Sequence, residues 1–150
     1  EIQSARLDGK IVLQTTHAGT QGLVNACNAS EVLTGALVNA KATAEYIKQR
    51  NPTTVSLVRM GFEAEQSTDE DDLRADYLES LLLGREFPES KIKETLRASP
   101  CAARFMDPEI PWNPISDFEL CTDINQFKFV LKLEHAVKDM PYLTRVDVNY

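Results

Sequence analysis

The chain of 150 residues contains no long apolar run, no basic tract and no cysteine pair at metal-binding spacing. The first absence excludes a transmembrane helix, which needs roughly 20 consecutive apolar residues. The second argues against nucleic acid as a partner, because tracking a phosphate backbone takes clustered Lys and Arg, and the formal net charge here is −7. The three cysteines, Cys27, Cys101 and Cys121, are odd in number and far apart. They read as free, buried thiols of a reducing cytoplasm rather than zinc ligands. Neither a G-x-x-x-x-G-K-[ST] loop nor a G-x-G-x-x-G turn occurs, which argues against a nucleotide site. No signal-peptide pattern opens the chain, and the expected location is cytoplasmic. The first residue is Glu1 rather than Met, so an upstream portion is expected to have been removed or left out.

What is present suits one soluble α/β domain over residues 1–150. Hydrophobic residues make up 43% and charged residues 26%, enough for one core. "GKIVLQT" (9–15) reads as a buried strand and Thr20–Ala29 as a short helix. "EVLTGAL" (31–37) reads as a second strand. A helix follows over 38–50, where Leu37, Ala40, Ala44 and Ile47 form one apolar stripe, and Asn51-Pro52 ends it. "TTVSLVRMG" (53–61) is rich in β-branched residues and reads as the clearest strand. A helix over 70–83 turns Leu73, Tyr77, Leu78, Leu81 and Leu82 inward and stops at Gly84. A further helix spans 90–98, and Ser99-Pro100 restarts the chain. Pro108, Pro111 and Pro114 stiffen a loop, a helix runs to Cys121, and strands follow over 127–137 and 142–148. Strands alternating with helices predict a three-layer α/β/α fold with a largely parallel or mixed sheet.

Ligands of such sheets bind beyond the carboxyl ends of the strands. Two stretches lie there. In the turn Thr16-His17-Ala18-Gly19-Thr20, Gly19 lets the backbone come close to a ligand and adopt positive φ, the amides at the helix start face outward, and the Thr16 and Thr20 hydroxyls add donors. His17 can serve as acid, base or phosphate donor. Asn39, beyond the second strand, can face the same cleft, and Arg59 and Arg104 can take a substrate anion. The second stretch is Asp69-Glu70-Asp71-Asp72, whose hard oxygens suit Mg²⁺. The same residues also make ordinary sense as a Thr helix cap and as acids that stabilise a helix N-terminus. A single Mg²⁺–phosphate site requires the two stretches to converge.

The ordered segments "LDGKIVLQTTHAGTQGL", "ASEVLTGALVNAKATAEYI", "VSLVRMG" and "STDEDDLRADYLESLL" resemble the 2-phosphosulfolactate phosphatase family. The matching positions are Gly19-Thr20, Gly35 with Asn39, Gly61, and Glu70-Asp71. The resemblance implies an α/β/α fold and Mg²⁺-dependent hydrolysis of a phosphate monoester on a small sulfonated hydroxy acid, a step toward coenzyme M. It implies that Glu70 and Asp71 hold Mg²⁺ and serve catalysis, while Thr16, His17, Gly19, Thr20 and Asn39 bind phosphate. Two positions depart from the family pattern: His17-Ala18 stands where Asn usually precedes Gly-Thr, and Asp76 follows Ala75 where a Gly is usual. Family members extend upstream of "EIQSARLDGK", so the chain resembles the C-terminal portion of such a protein, and pairing with that portion or with copies of itself is expected. The contrasting expectation is a non-catalytic domain that binds small anions or only supports structure.

Overall fold

The computed structural model of the protein describes residues 5–134 and 141–150. Along the chain come α1 (Gly19–Asn25), β1 (Leu33–Thr34), a 3₁₀ turn over Leu37–Asn39, α2 (Ala40–Arg50), α3 (Asp69–Leu83) and α4 (Glu89–Ala98). A second 3₁₀ turn over Pro100–Ala102, α5 (Ala103–Met106), α6 (Ile115–Cys121), β2 (Phe129–Glu134) and β3 (Tyr142–Asp147) follow.

α2 lies between two apolar clusters, and its alanines explain how. Ala42 and Tyr46 pack with Val130 and Val148 on the sheet side. Leu37 and Ala40 pack with Tyr77, Ile92, Leu96, Ala102 and Phe118 on the helical side. Small side chains let one helix approach a sheet and a helix at once. Burying a residue the size of Leu37 stabilises the fold by about 2 kcal/mol. Asn51 closes α2 in the left-handed conformation at φ 48°, and Gly84 closes α3 at φ 65°. Ser99 caps the second 3₁₀ turn, its hydroxyl accepting from the Cys101 amide at 3.3 Å.

The helices lie close to their expected spans, and the sheet does not. It has three strands in the order β1-β2-β3, antiparallel at both junctions. Phe129 faces Asp147 and Glu134 faces Tyr142, so the last two strands pair with each other antiparallel. Their connection is too short for a parallel crossover, which takes about a dozen residues or more. Neither 9–15 nor 53–61 joins a ladder among the described residues. Apolar, β-branched composition expresses a tendency to be buried, but a strand exists only with a hydrogen-bonded neighbour. The fold is therefore mixed α/β, with an antiparallel three-stranded sheet where a largely parallel or mixed one was expected. The expected run of the last long strand to residue 137, including His135, lies outside the described residues.

A polar chain anchored on the buried Tyr77 joins these layers. The Tyr77 side chain is 0% exposed, and its hydroxyl donates to Glu89 Oε1 at 2.7 Å. The Asn125 amide donates to that hydroxyl at 2.7 Å, while Asn125 Oδ1 accepts from the Lys41 amide at 2.8 Å. Asn125 thus caps α2 from 84 residues away, in a left-handed conformation (φ 58°) that Asn tolerates.

Gly61 and Gly84 have positive φ for different reasons. At Gly61 (φ +64°) an added Cβ would lie 2.0 Å from the Gln66 carbonyl oxygen, because a tight turn folds back at once through the Phe62–Gln66 bridge. At Gly84 (φ +65°) a Cβ would meet open space. Gly84→Ala should therefore cost only the left-handed penalty, about 1–2 kcal/mol. Gly61→Ala should cost clearly more, and the two midpoints in urea unfolding compare them.

Burial, then the Glu89 hydrogen bond, pushes the Tyr77 hydroxyl up to about 12, against a weaker opposing effect of Asn125. The unfolded chain releases this proton near pH 10. Tyr77 therefore contributes its full stabilisation below about pH 10 and loses it as pH rises toward 12, on the order of 2–3 kcal/mol in all. Tyr77→Phe should lower stability by about 1–3 kcal/mol at pH 7 by stranding Glu89 and Asn125. The gap between wild type and variant should narrow between pH 10 and 12, measured by urea unfolding across that range. A gap independent of pH would show that the hydroxyl carries no such linkage.

Candidate active site

The Asp69-Glu70-Asp71-Asp72 stretch forms the first turn of α3. Four adjacent carboxylates repel one another, and the helix N-terminus offsets part of that cost. Their side chains separate into different environments. Asp69 accepts from the Ser99 hydroxyl at 2.6 Å. Asp71 accepts from the Gly61 amide at 2.6 Å through one oxygen and pairs with Arg74 through the other. Asp72 accepts from the Ser67 hydroxyl and, at 3.1 Å, from Arg59, whose second nitrogen pairs with Asp76. The Ser67 hydrogen bond, and then Arg59, hold the Asp72 carboxyl below the usual carboxylate range.

Glu70 differs from its neighbours. Its Oε2 is buried without a hydrogen-bond partner, and so is the Thr68 hydroxyl two residues earlier. Thr68 is the N-cap of α3 yet makes no side-chain cap bond. Burial first, then a weak hydrogen bond to Glu70, raises the Cys101 thiol above its ordinary value, which sets Glu70 beside the turn that follows α4 and leaves only its Oε2 without a partner. Buried oxygens of this kind are costly when unmatched and suit a donor or a hard cation. Among the described residues no group of three His, Cys, Asp or Glu side chains is gathered closely enough to enclose a metal. Any cation held here would draw one or two ligands from the protein and the rest from water or substrate.

A shallow cleft opens beside Asp72, lined by Arg59, Gly61, Ala64, Gln66, Ser67 and Thr68 among others. Its wall is a turn in which Glu63 (φ 54°) and Ala64 (φ 60°) are both left-handed without being glycine. Such positions cost about 1–2 kcal/mol each and persist because the surrounding bonds hold them. The Phe62 amide donating to Gln66 O at 2.8 Å is one of those bonds.

The hydroxyl-rich turn closes on itself. The Thr20 amide donates to Thr16 Oγ1 at 3.0 Å, and the Thr20 hydroxyl donates to the Thr16 carbonyl at 2.9 Å. Gly19 does not take positive φ; it opens α1 as an ordinary helical residue. His17 is exposed. Asn39 is only 4% exposed, and its side chain links two elements: Oδ1 accepts from the Ala36 amide at 3.2 Å and Nδ2 donates to the Phe129 carbonyl at 3.1 Å.

The two predicted stretches meet indirectly. α1 sits against the segment before α3 so closely that a Cβ on Gly22 would lie 2.5 Å from the Met60 sulfur. Met60 precedes Gly61, whose amide Asp71 holds. No hydrogen bond among the described residues joins Thr16, Gly19 or Thr20 to Glu70 or Asp71. Sequence reasoning missed Ser67 and read Thr68 and Ser99 only as helix caps, not as short hydroxyls set beside carboxylates.

Comparison with known proteins matches residues 1–136 to the family described as 2-phosphosulpholactate phosphatase. A protein of Caldicellulosiruptor saccharolyticus named probable 2-phosphosulfolactate phosphatase is 39% identical over 95 residues, covering 61% of this chain and 38% of the relative. One of the same name from Caldanaerobacter subterraneus subsp. tengcongensis is 38% identical over 70 residues, covering 47% of this chain and 29% of the relative. The chain thus spans well under half the length of these two relatives. No solved structure matches it. Of its 150 residues, the family match takes in all but the last 14, so the chain belongs to the 2-phosphosulpholactate phosphatase family.

Proposed function

We infer that this chain serves Mg²⁺-dependent hydrolysis of a small phosphorylated hydroxy acid such as 2-phosphosulfolactate, as part of a polypeptide of family length. Family membership supports the reaction class. The observation that carries the site is the buried, unpartnered Glu70 Oε2 at the start of α3, beside an Asp71 already anchored to Gly61. A hard cation that keeps several waters fits this donor set, because Mg²⁺ is commonly held by one or two carboxylates with substrate phosphate completing its shell.

In this reading Glu70 is the first protein ligand. Asp71 contributes a remaining lone pair, directly or through water, while its bonds to Gly61 and Arg74 keep it oriented. Bound Mg²⁺ would neutralise phosphoryl charge and favour in-line attack by water. Thr16 and Thr20, closed on each other, shape the start of α1 and present Gly19 toward the phosphoryl group. His17 is the exposed proton donor or acceptor of that turn, and Asn39 holds the neighbouring β1–α2 turn in place. The finer architecture belongs to the same reading: 9–15 and 53–61 act as parallel strands of a three-layer α/β/α fold.

Glu70→Gln should lower Mg²⁺-dependent release of phosphate from 2-phosphosulfolactate by about 100-fold or more, the scale of losing several kcal/mol of metal-borne stabilisation. Asp71→Asn should lower it as well. Hydrolysis by the family-length protein is followed with Mg²⁺ and with EDTA, and calorimetry on the same variants reads Mg²⁺ binding. Unchanged turnover in Glu70→Gln, or Mg²⁺ and phosphate binding without any turnover in the wild type, would defeat the reading.

A further inference from the structure

Among the described residues, two buried side-chain oxygens lack a hydrogen-bond partner, Thr68 Oγ1 and Glu70 Oε2, and they lie two residues apart at the start of α3. Buried polar groups are almost all matched, so two unmatched oxygens at one turn call for an occupant. The chain's own residues already cover both atoms, so what completes them is small, an ion or a water, and not further polypeptide.

Other buried hydroxyls of the protein show what Thr68 lacks. Thr43, Ser80 and Thr122 each donate to a carbonyl three or four residues earlier in a helix. Thr68 precedes α3, so no helical turn stands behind it to offer such a carbonyl, and it makes no side-chain cap bond either. Its neighbours are engaged elsewhere: Asp69 with Ser99, Asp71 with the Gly61 amide and Arg74, Asp72 with Ser67 and Arg59. Thr68 and Glu70 are the unspent members of the turn, and Thr68 also lines the cleft beside Asp72 that opens to solvent.

We propose that the Thr68 hydroxyl is a further protein ligand of the cation held by Glu70, an assignment that rests on the Mg²⁺ reading of this turn. Mg²⁺ takes oxygen ligands, and a hydroxyl oxygen can bind it through a lone pair while its proton stays free to donate. The Ser or Thr of a phosphate-binding loop meets Mg²⁺ in the same manner. Four carboxylates already crowd the first turn of α3, so a neutral oxygen adds coordination without adding repulsion. A single water bridging the two orphaned oxygens is the competing occupant.

Calorimetry with Mg²⁺ alone and urea unfolding, both on the family-length protein, decide between them. Valine has nearly the shape of threonine, and the hydroxyl it removes makes no bond. Without Mg²⁺, Thr68→Val should therefore leave the unfolding midpoint unchanged or raise it. Its Mg²⁺ affinity should fall by about tenfold or more, the scale of losing a group that holds a metal. Thr68→Ser keeps the hydroxyl and should bind Mg²⁺ within about threefold of wild type. Thr68→Cys should bind Mg²⁺ about tenfold more weakly and shift preference toward the softer Cd²⁺, which a cap or a water site would not do. A lower midpoint in Thr68→Val with unchanged Mg²⁺ affinity overturns the proposal in favour of a cap or a bridging water. If valine lowers both, the cysteine variant decides, and no gain in Cd²⁺ preference overturns it. Glu70→Gln keeps the two readings apart. Should it lose Mg²⁺ binding while Thr68→Val retains it, the cation site stands without Thr68; should the wild type bind no Mg²⁺, both fall.

Discussion

Two asparagines at the N-terminus of α2 hold the structure together. Asn39 joins the Ala36 amide to the Phe129 carbonyl, so the start of the helix is fastened to β2. Asn125 reaches in from the far end of the chain, caps the Lys41 amide and holds the Tyr77 hydroxyl, which passes the link to Glu89 on α4. The Asn125 backbone N–H also donates to the Leu37 carbonyl at 3.0 Å. Sheet, central helix and helical layer are thereby fixed by directional bonds, most of them part-buried. Apolar packing on either side of α2 supplies most of the stabilisation, but it is tolerant of sliding; the polar chain sets one register.

That register governs the acidic turn. α3 is positioned by Tyr77 and Leu78 against α2, so its first residues meet the Gly61 turn on one side and the Ser99 turn on the other. Three of the four carboxylates are then occupied by amides, hydroxyls or guanidinium groups. The ion pairs of Arg59 are exposed and of modest energy in water. Glu70 is left with a buried oxygen that its neighbours do not match, the kind of local inconsistency that marks a functional position more often than a structural one.

The helices were legible because their signals are local. The stripe from Leu37 to Ala44, Asn51-Pro52, Gly84 and Ser99-Pro100 all act within a few residues, and each works as its chemistry dictates. The sheet was less legible because pairing is a property of two segments. "KIVLQT" has the composition of a buried strand, yet composition names no neighbour. The thiols illustrate the same gap: Cys27 and Cys121 are exposed although cysteine is commonly buried. Within the site, the Glu70-Asp71 pair was readable as acid at a helix start. That Asp71 is spent largely on Gly61 and Arg74 while Glu70 is not was unreadable, because it depends on a left-handed glycine and a turn folding back. The Asn39 side chain, expected to face ligand, is instead only 4% exposed and doubly engaged, through a contact with Phe129 that spans 90 residues.

Segments 10–15 and 54–60, outside any ladder among the described residues, adjoin the acidic turn. Segment 54–60 ends at Gly61, whose amide is the Asp71 ligand, and α1 at the end of 10–15 presses on Met60. A backbone that lacks ladder bonds fluctuates more than one within a sheet, and its motion reaches Asp71 through a single residue. Pairing 54–60 with a neighbouring strand would therefore do more than cover Val58. It would fix the Gly61 amide, and with it the orientation of Asp71 and the spacing between α1 and the start of α3. Catalytic groups must be held to about 0.5 Å by rigid elements to act well. In this chain the hold on Asp71 comes from the Gly61 amide and Arg74, so whatever steadies 54–60 steadies the acidic turn as well.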